Sequence, residues 1–259
     1  MSLALHPTAV IHPDAELAPD VEVGPYAVLG PGVVVAAGCR IGPHAVLERN
    51  VRLHEGVQLG AGVVLGSAPQ DLKYRAEETW LEVGAGTVIR EYSTAHRATG
   101  ATGTTRIGAG CYLMTYVHVA HDCQLGDGVT IANSTQLSGH VTIEDHASLS
   151  GLCAIHQFVT IGTHAFVGGS SRIPQDIPPY VKAVGNPVRL FGLNGIGLER
   201  AGFPRETIAA LKRAYRLLFN SSRPRAEAIA ELRAQGGDQV PEVRRLLAFV
   251  TATVRGLPA

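Results

Sequence analysis

Aliphatic residues recur at every sixth position over most of the chain. From Ile107 the series continues through Leu113, Val119, Leu125, Ile131, Leu137, Ile143, Leu149, Ile155, Ile161, Val167 and Ile173. A helical face recurs at about 3.6 residues and a strand face at about 2. A period of six therefore predicts short extended segments joined by turns at regular intervals, and hexapeptide repeats of this kind are typical of a β-solenoid.

A second inward-facing series is expected four positions after each aliphatic residue, where the side chains are mostly small: Cys111, Val117, Cys123, Val129, Thr135, Val141, Ala147, Cys153, Val159, Ala165, Ser171 and Ile177. The N-terminal quarter repeats the aliphatic series from Leu5 to Leu65. Glycine often follows an aliphatic residue directly, as at Gly24, Gly30, Gly42, Gly60, Gly66, Gly108, Gly126 and Gly162. We expect these glycines at corners that require a positive φ.

Two segments interrupt the repeat. Residues 67–80 lack the aliphatic series and carry several charges, which predicts a loop extending from a corner. Loops on rigid scaffolds often carry function. Residues 98–106 are rich in threonine and glycine and predict a second, flexible excursion.

The coils are expected to end at Pro178-Pro179-Tyr180, because consecutive prolines remove backbone donors. This divides the chain into a β-helix over residues 1–185 and a helical domain over 186–259. Within the second part we expect a linker and then helices that open at Pro204, span Arg225–Ala234 and span Pro241–Arg255.

Charge is distributed unevenly, although lysine plus arginine equals aspartate plus glutamate at 22 each. The excess of basic residues after residue 181 favours either an acidic partner or an arginine-rich solvated helical surface. All four cysteines, Cys39, Cys111, Cys123 and Cys153, occupy the small inward position. They predict core packing, with neither disulfides nor a cysteine metal site.

The N-terminal sequence enters the repeat at Leu5 without a recognisable signal peptide, and the chain has no run of about 18 apolar residues. These features predict a cytoplasmic protein.

Histidine is the most informative residue type. If three hexads form one coil, residues eighteen apart stack at about the strand spacing of 4.8 Å. His121, Gly139 and Gln157 then form one column, and Asp122 and His140 form the next. With His156, they make one patch on an edge of the prism.

Such a patch suits acyl transfer. A histidine can take the proton of a hydroxyl nucleophile, a carboxylate can hold the imidazolium, and a glycine N–H can approach an oxyanion. Isolated turn histidines are usually solvated surface residues, so the clustering carries the hypothesis. A zinc site using His118 and His121 is the other interpretation, and it leaves Asp122, Gly139 and Gln157 without a role.

At this point the chain resembles a known family, the UDP-N-acetylglucosamine O-acyltransferases that begin lipid A synthesis. The resemblance covers nearly the whole length and depends on ordered motifs: Gln70-Asp71-Leu72-Lys73-Tyr74, His96-Arg97, Ala120-His121-Asp122-Cys123, Gly139-His140-Val141, His156-Gln157-Phe158, Val167-Gly168-Gly169, Gln175-Asp176-Ile177-Pro178-Pro179-Tyr180 and Phe191-Gly192-Leu193-Asn194.

The resemblance implies a left-handed parallel β-helix assembled as a homotrimer, with active sites between subunits. It also implies transfer of an (R)-3-hydroxyacyl chain from acyl carrier protein to the glucosamine 3-hydroxyl of UDP-N-acetylglucosamine. The only prosthetic group implied is the 4′-phosphopantetheine of the donor. No metal is implied.

By the same resemblance, His121 is the general base, Asp122 its orienting partner and Gly139 the oxyanion donor. The implied substrate contacts are Gln70, Asp71, Lys73, His96, His118, His140, His156, Gln157, Asn194 and Arg200, with Gly169 as the acyl-chain ruler. Two positions depart from the family pattern, which often has glutamate at position 196 and arginine at 201. This chain has Ile196 and Ala201 there.

Other classes of protein remain as alternatives. A related N-acyltransferase carries an additional uridine-binding domain before its β-helix, for which a repeat beginning at Leu5 leaves no room. An acetyl-CoA-dependent acetyltransferase is disfavoured by the two excursions and the basic tail. An ice-binding or purely structural solenoid predicts a flat array of threonines, and a β-helical carbonic anhydrase predicts bound zinc.

Overall fold

A computed structural model describes residues 4–221 and 223–258. Most of the secondary structure consists of short strands: β1 (Ala4–Leu5), β2 (Val10–Ile11), β3 (Glu16–Leu17), β4 (Glu22–Val23), β5 (Val28–Leu29), β6 (Val34–Val35), β7 (Arg40–Ile41), β8 (Val46–Leu47), β9 (Val51–Leu53), β10 (Gln58–Leu59), β11 (Val64–Ser67), β12 (Trp80–Val83), β13 (Val88–Ile89), β14 (Thr94–His96), β15 (Thr104–Ile107), β16 (Tyr112–Leu113), β17 (His118–Val119), β18 (Gln124–Leu125), β19 (Thr130–Ile131), β20 (Gln136–Leu137), β21 (Thr142–Ile143), β22 (Ser148–Leu149), β23 (Ala154–Ile155), β24 (Thr160–Ile161), β25 (Phe166–Val167), β26 (Arg172–Ile173), β27 (Val181–Gly185) and β28 (Val188–Leu193).

These strands form three sheets that make the faces of a prism. The first sheet runs from β1 through every third strand to β25 and continues into β27 and β28, the second runs from β2 to β26, and the third from β3 to β24. In the unbroken block, strands eighteen residues apart pair in parallel, as in His118↔Gln136. The predicted stacking of one coil per three hexads is therefore confirmed.

The core is a narrow column inside the prism. Every aliphatic residue of the predicted series from Ile107 to Ile173 is buried, and so is every residue of the small series from Cys111 to Ile177. The four cysteines are buried and free, and burial raises the pKa of each thiol, that of Cys123 to about 12. At the first coil the core is open, since Leu5 is 40% exposed.

The glycines after the aliphatic positions serve a different purpose from the one predicted. Of the eight named, only Gly66 has a positive φ. At Gly30 an added Cβ would lie 1.9 Å from Glu48 O of the next coil, and at Gly108 it would lie 2.2 Å from Gly126 O. These positions require glycine because neighbouring coils approach closely. The left-handed turn residue falls two positions later, at Gly32 and Gly110 for example.

The predicted end of the solenoid at Pro178-Pro179 is wrong. Beyond Tyr180, β27 pairs in parallel with β25, and β28 folds back on β27 as an antiparallel strand. The first sheet thus continues across the predicted boundary at residue 185. The two prolines precede β27, where their missing N–H groups remove no bond from the ladder.

Four α-helices follow: α1 (Gly195–Arg200), α2 (Arg205–Phe219), α3 (Arg225–Ala234) and α4 (Pro241–Ala252), with a 3₁₀ turn at Gly237–Gln239. The sequence did not predict α1, whereas α3 has the predicted bounds. Helix α4 ends before the predicted Arg255, because Asp176 Oδ2 accepts hydrogen bonds from Thr253 Oγ1 at 2.6 Å and from the N–H groups of Val254 and Arg255. None of the described helices is long and apolar enough to span a membrane.

Candidate active site

The site is built on the corner where the second sheet turns into the third, which we call the histidine corner: His121, Asp122, Gly139 and His140. His121 and Asp122 follow β17, and Gly139 and His140 follow β20 one coil later. Asp122 and His140 both take positive φ, 62° and 61°. The coil stacking therefore brings together residues eighteen positions apart, as predicted.

His121 and Asp122 form a closely hydrogen-bonded pair. His121 Nδ1 lies 2.7 Å from Asp122 Oδ2, and the side chain of Asp122 has no exposed surface. His140 Nε2 lies 3.8 Å from the same carboxylate oxygen. The His121 and His140 rings meet edge to face at 5.2 Å, and Phe158 stacks on His140 at 4.5 Å. Asp122 thus fixes the orientation of His121 at the surface of the coil.

The second excursion encloses Asp122. Thr99 donates from its N–H and from Oγ1 at 2.9 Å, and Thr102 also donates from N–H and hydroxyl. Thr105 Oγ1 accepts from the Asp122 N–H at 2.8 Å. Burial alone would raise the pKa of Asp122, but hydrogen bonds from Thr102, His121 and Thr99 outweigh it and lower the pKa. The carboxylate is therefore ionised at neutral pH.

The sequence does not predict the role of these threonines. Residues 98–106 are expected to form a flexible excursion, whereas in the structure β15 already begins at Thr104 and the preceding turn packs on Asp122. The available signal was the concentration of hydroxyl groups in Ala98–Thr105, since a buried carboxylate needs several donors.

Gly139 lies directly against the imidazole. A Cβ at this position would fall 2.6 Å from His121 Cε1 and 2.8 Å from Nε2. The neighbouring N–H groups of Ser138 and His140 donate to Ile155 O and His121 O, while the Gly139 N–H has no hydrogen-bond partner among the described residues. A free donor beside His121 Nε2 suits stabilisation of an oxyanion.

A groove of about 440 Å³ lies on the second sheet, and its lining includes Gln70, His96 and His118. The His96 and His118 rings meet edge to face at 5.1 Å, and Thr94 Oγ1 lies 2.7 Å from His118 Nδ1. Burial, and then the proximity of His96 and His121, lowers the pKa of His118 to about 4. Burial likewise lowers the pKa of His96. Both rings are neutral hydrogen-bonding groups at neutral pH.

The first excursion is held by Arg97, which belongs to the His96-Arg97 motif but had no role predicted from the sequence. Its guanidinium donates to Gly66 O and, at 3.2 Å, to the Tyr74 hydroxyl. Within the loop the Lys73 N–H donates to Asp71 Oδ1 at 2.9 Å. Asp71 and Lys73 are thus carried by an internally bonded loop next to Gln70.

The remaining predicted residues lie outside the four residues of the histidine corner. His156 and Gln157 follow β23 one coil beyond Gly139 and are exposed, and His156 Nδ1 is 3.1 Å from Arg255 Nη2. Gly169 is on the corner between the first and second sheets. Asn194 caps α1, and Arg200 ends it, beside the first sheet. Within one chain, Gly169, Asn194 and Arg200 do not join the histidine corner.

His121, Asp122 and His140 are also close enough to share a metal ion, with ligand atoms within 4.8 Å of one another. The predicted zinc pair of His118 and His121 is not this group. Both oxygens of Asp122 already accept hydrogen bonds from threonine, and His121 Nδ1 is engaged with Asp122. The hydrogen-bonded arrangement matches an oriented base better than a set of metal ligands.

Comparison with known proteins identifies the family and the fold. Residues 104–139 match the bacterial transferase hexapeptide model (six repeats), and residues 176–257 match the model for domain 2 of UDP-N-acetylglucosamine O-acyltransferase. The structure superimposes on the UDP-N-acetylglucosamine O-acyltransferase of Moraxella catarrhalis with a TM-score of 0.95 and 38% identity, covering 100% of both chains. The enzyme of Bacteroides fragilis gives a TM-score of 0.95 at 35% identity, covering 98% of this chain and 100% of the other.

The fold class, a left-handed parallel β-helix followed by a small helical region, is confirmed. Among curated relatives, the acyl-[acyl-carrier-protein]–UDP-N-acetylglucosamine O-acyltransferase of Paraburkholderia phymatum is 43% identical over 197 residues, 74% of this chain and 75% of its own length. The counterpart in Anaeromyxobacter is 44% identical over 193 residues, again 74% and 75%. The chain belongs to the family of acyl-[acyl-carrier-protein]–UDP-N-acetylglucosamine O-acyltransferases.

Proposed function

We propose that this enzyme transfers an (R)-3-hydroxyacyl chain from acyl carrier protein to the glucosamine 3-hydroxyl of UDP-N-acetylglucosamine, the first step of lipid A biosynthesis. Family membership supports the reaction. The observation that carries the chemistry is the 2.7 Å contact between His121 Nδ1 and the ionised Asp122, beside the N–H of Gly139, which has no partner among the residues that the structure describes.

His121 acts as the base in this proposal. An ionised carboxylate can only accept a hydrogen bond, so its contact with Nδ1 places the ring proton there and leaves the Nε2 lone pair free. Nε2 removes the proton of the sugar 3-hydroxyl as the oxygen attacks the thioester carbonyl. Asp122 then stabilises the imidazolium.

The carbonyl oxygen becomes an oxyanion when the carbon–oxygen bond forms, and the N–H of Gly139 donates to it. Collapse of this intermediate breaks the carbon–sulfur bond. The phosphopantetheine sulfur leaves with the proton held on His121 Nε2, which returns the base to its neutral form. No cofactor beyond the donor's own phosphopantetheine takes part.

We infer a homotrimer with each site shared between two copies, because Gly169, Asn194 and Arg200 lie away from the histidine corner of their own chain. An exposed apolar stripe supports this arrangement. Tyr92 and Tyr116 stack at 5.4 Å and are 54% and 56% exposed, and Leu152 on the same corner is 67% exposed. Ser134 lies between Tyr116 and Leu152 in this column, so the contiguous apolar surface is the Tyr92–Tyr116 pair, and exposed apolar surface of this kind is typical of an interface.

Helix α2 is the proposed docking surface for the acidic acyl carrier protein. Lys212, Arg213 and Arg216 are exposed and form no ion pair among the described residues. Changing all three to glutamate is expected to raise KM for the acyl donor by about tenfold or more, because charge complementarity sets encounter rates. The wild-type KM should also rise with salt.

An acylated pantetheine without the protein is the matched control donor, and its KM should respond to neither change. Steady-state kinetics at several ionic strengths measure both donors. If KM for acyl carrier protein changes neither with salt nor with the charge reversal, α2 is not the docking surface.

Mass spectrometry of the products tests the proposed reaction. Purified protein is incubated with UDP-N-acetylglucosamine and 3-hydroxyacyl carrier proteins of several chain lengths, with acetyl-CoA in a parallel reaction. We expect a monoacylated nucleotide sugar only from the carrier-protein donors. Turnover of acetyl-CoA, or of a different acceptor in place of UDP-N-acetylglucosamine, would overturn the proposal.

A further inference from the structure

A cavity of about 810 Å³ lies between the first sheet, which includes β27, and helix α1. Its lining includes Asn194 and Arg200, and also Lys182, His146 and His164, which the sequence analysis assigned no role. Lys182 stands on β27, the strand that the sequence did not predict. The cavity is thus partly formed by the unexpected continuation of the sheet.

The cavity carries positive charge that no residue of its lining balances. Neither Lys182 nor Arg200 forms an ion pair among the described residues, and no aspartate or glutamate lines the cavity. Ile196 and Ala201, the two departures from the family pattern, line the same cavity. Position 201, where the family usually has an arginine, therefore carries no charge in this chain. Lys182 instead places a cation in the cavity.

A planar surface borders these cations. The His146 and His164 rings stack at 4.9 Å with 27° between their planes, and Phe203 meets His164 edge to face at 4.9 Å. Burial, followed by the proximity of His146 and Arg245, lowers the pKa of His164. The ring of His164 is neutral at neutral pH and presents an aromatic face beside Lys182 and Arg200.

We propose that Lys182 and Arg200 together bind the diphosphate of a nucleotide in this cavity, with Lys182 supplying the second cation in place of an arginine at 201. The stacked imidazoles of His146 and His164 form the aromatic wall beside the bound nucleotide. The identity of the nucleotide as a uridine diphosphate sugar rests on the proposed function. Lys182 is accordingly a binding residue that acts on affinity and not on the chemical step.

Calorimetric binding of UDP to the full-length protein, without an acyl donor, tests the inference. Lys182→Ala is expected to raise Kd for UDP by about tenfold or more, since it removes a charge-assisted contact. Lys182→Arg should keep Kd within a few-fold of wild type. Arg189→Ala is the matched control, because Arg189 is an exposed cation on the neighbouring strand β28 that does not line the cavity.

The two ways of failing are distinct. Wild-type protein that does not bind UDP would overturn the nucleotide assignment and the proposed function with it. If the wild type binds UDP and the Kd of Lys182→Ala is within twofold of the wild-type Kd, then Lys182 does not have the proposed role. The proposed reaction would still stand. In acyl-transfer assays, Lys182→Ala should raise KM for UDP-N-acetylglucosamine and leave kcat unchanged.

Discussion

Replacing His121 with alanine is expected to lower kcat for acyl transfer by about 10²–10⁴-fold, the usual contribution of a general base. The oligomeric state and the melting temperature should stay nearly unchanged. The reason is geometric, because the His121 side chain lies at the surface of the coil and is 12% exposed, outside the aliphatic core. Product formation measured by mass spectrometry, with thermal unfolding in parallel, checks both parts.

The chain offers a matched control for this change. His12 also lies beside a carboxylate, with its Nδ1 3.6 Å from Asp14 Oδ2, but both side chains are exposed and far along the solenoid from the histidine corner. His12→Ala should leave transfer unchanged. A His121→Ala enzyme that keeps most of its activity would remove His121 from the mechanism.

Asp122→Asn is expected to impair both catalysis and folding. Without the carboxylate, His121 loses the partner that fixes its tautomer and stabilises the imidazolium, so kcat should fall by about 100-fold or more. The amide also turns an NH₂ group towards the donors of Thr99 and Thr102. Disrupting a buried hydrogen-bond network of this kind costs about 2–4 kcal/mol of unfolding free energy.

The contributions of Asp122 and of the histidines to the free energy of unfolding are lost over different pH ranges. The pKa of Asp122 is lower in the folded chain than in the unfolded chain, so its contribution is present above about pH 4 and is lost as the pH falls through the folded value. Denaturant unfolding of wild type and Asp122→Asn should therefore converge below about pH 4. The pKa of His118 is lowered to about 4, so its contribution is lost over a higher range, between about pH 6.5 and 4. A stability difference between wild type and Asp122→Asn that stays constant down to pH 2 would contradict the role of the ionised carboxylate.

Much of the scaffold follows from the sequence, because a solenoid depends on local contacts. The period of six determines which residues face inward, and the stacking of residues eighteen apart then brings His121 next to Gly139. These two steps predict the histidine corner before any coordinate is known. Gln157 and His156 follow on the next coil for the same reason.

The features that the sequence analysis missed depend on contacts between distant parts of the backbone. The role of Gly108 comes from the approach of Gly126 O on the next coil, which a local φ argument does not consider. Thr99 and Thr102 contact Asp122 only because the excursion folds back over the corner. The strand β27 was missed because Pro178-Pro179 marks a corner and not an end of the coils.

The separation of the site residues within one chain leads to the central claim, that the His121–Asp122 pair of one copy acts on a nucleotide sugar held by Arg200 of another. Differently tagged His121→Ala and Arg200→Glu chains can be co-expressed, and the mixed trimers assayed at a UDP-N-acetylglucosamine concentration below KM. In a cyclic trimer each mixed assembly has one of its three sites with both residues intact, so the mixed trimers should show about a third of wild-type activity. Activity no greater than the average of the two variants assayed separately would contradict a site shared between copies.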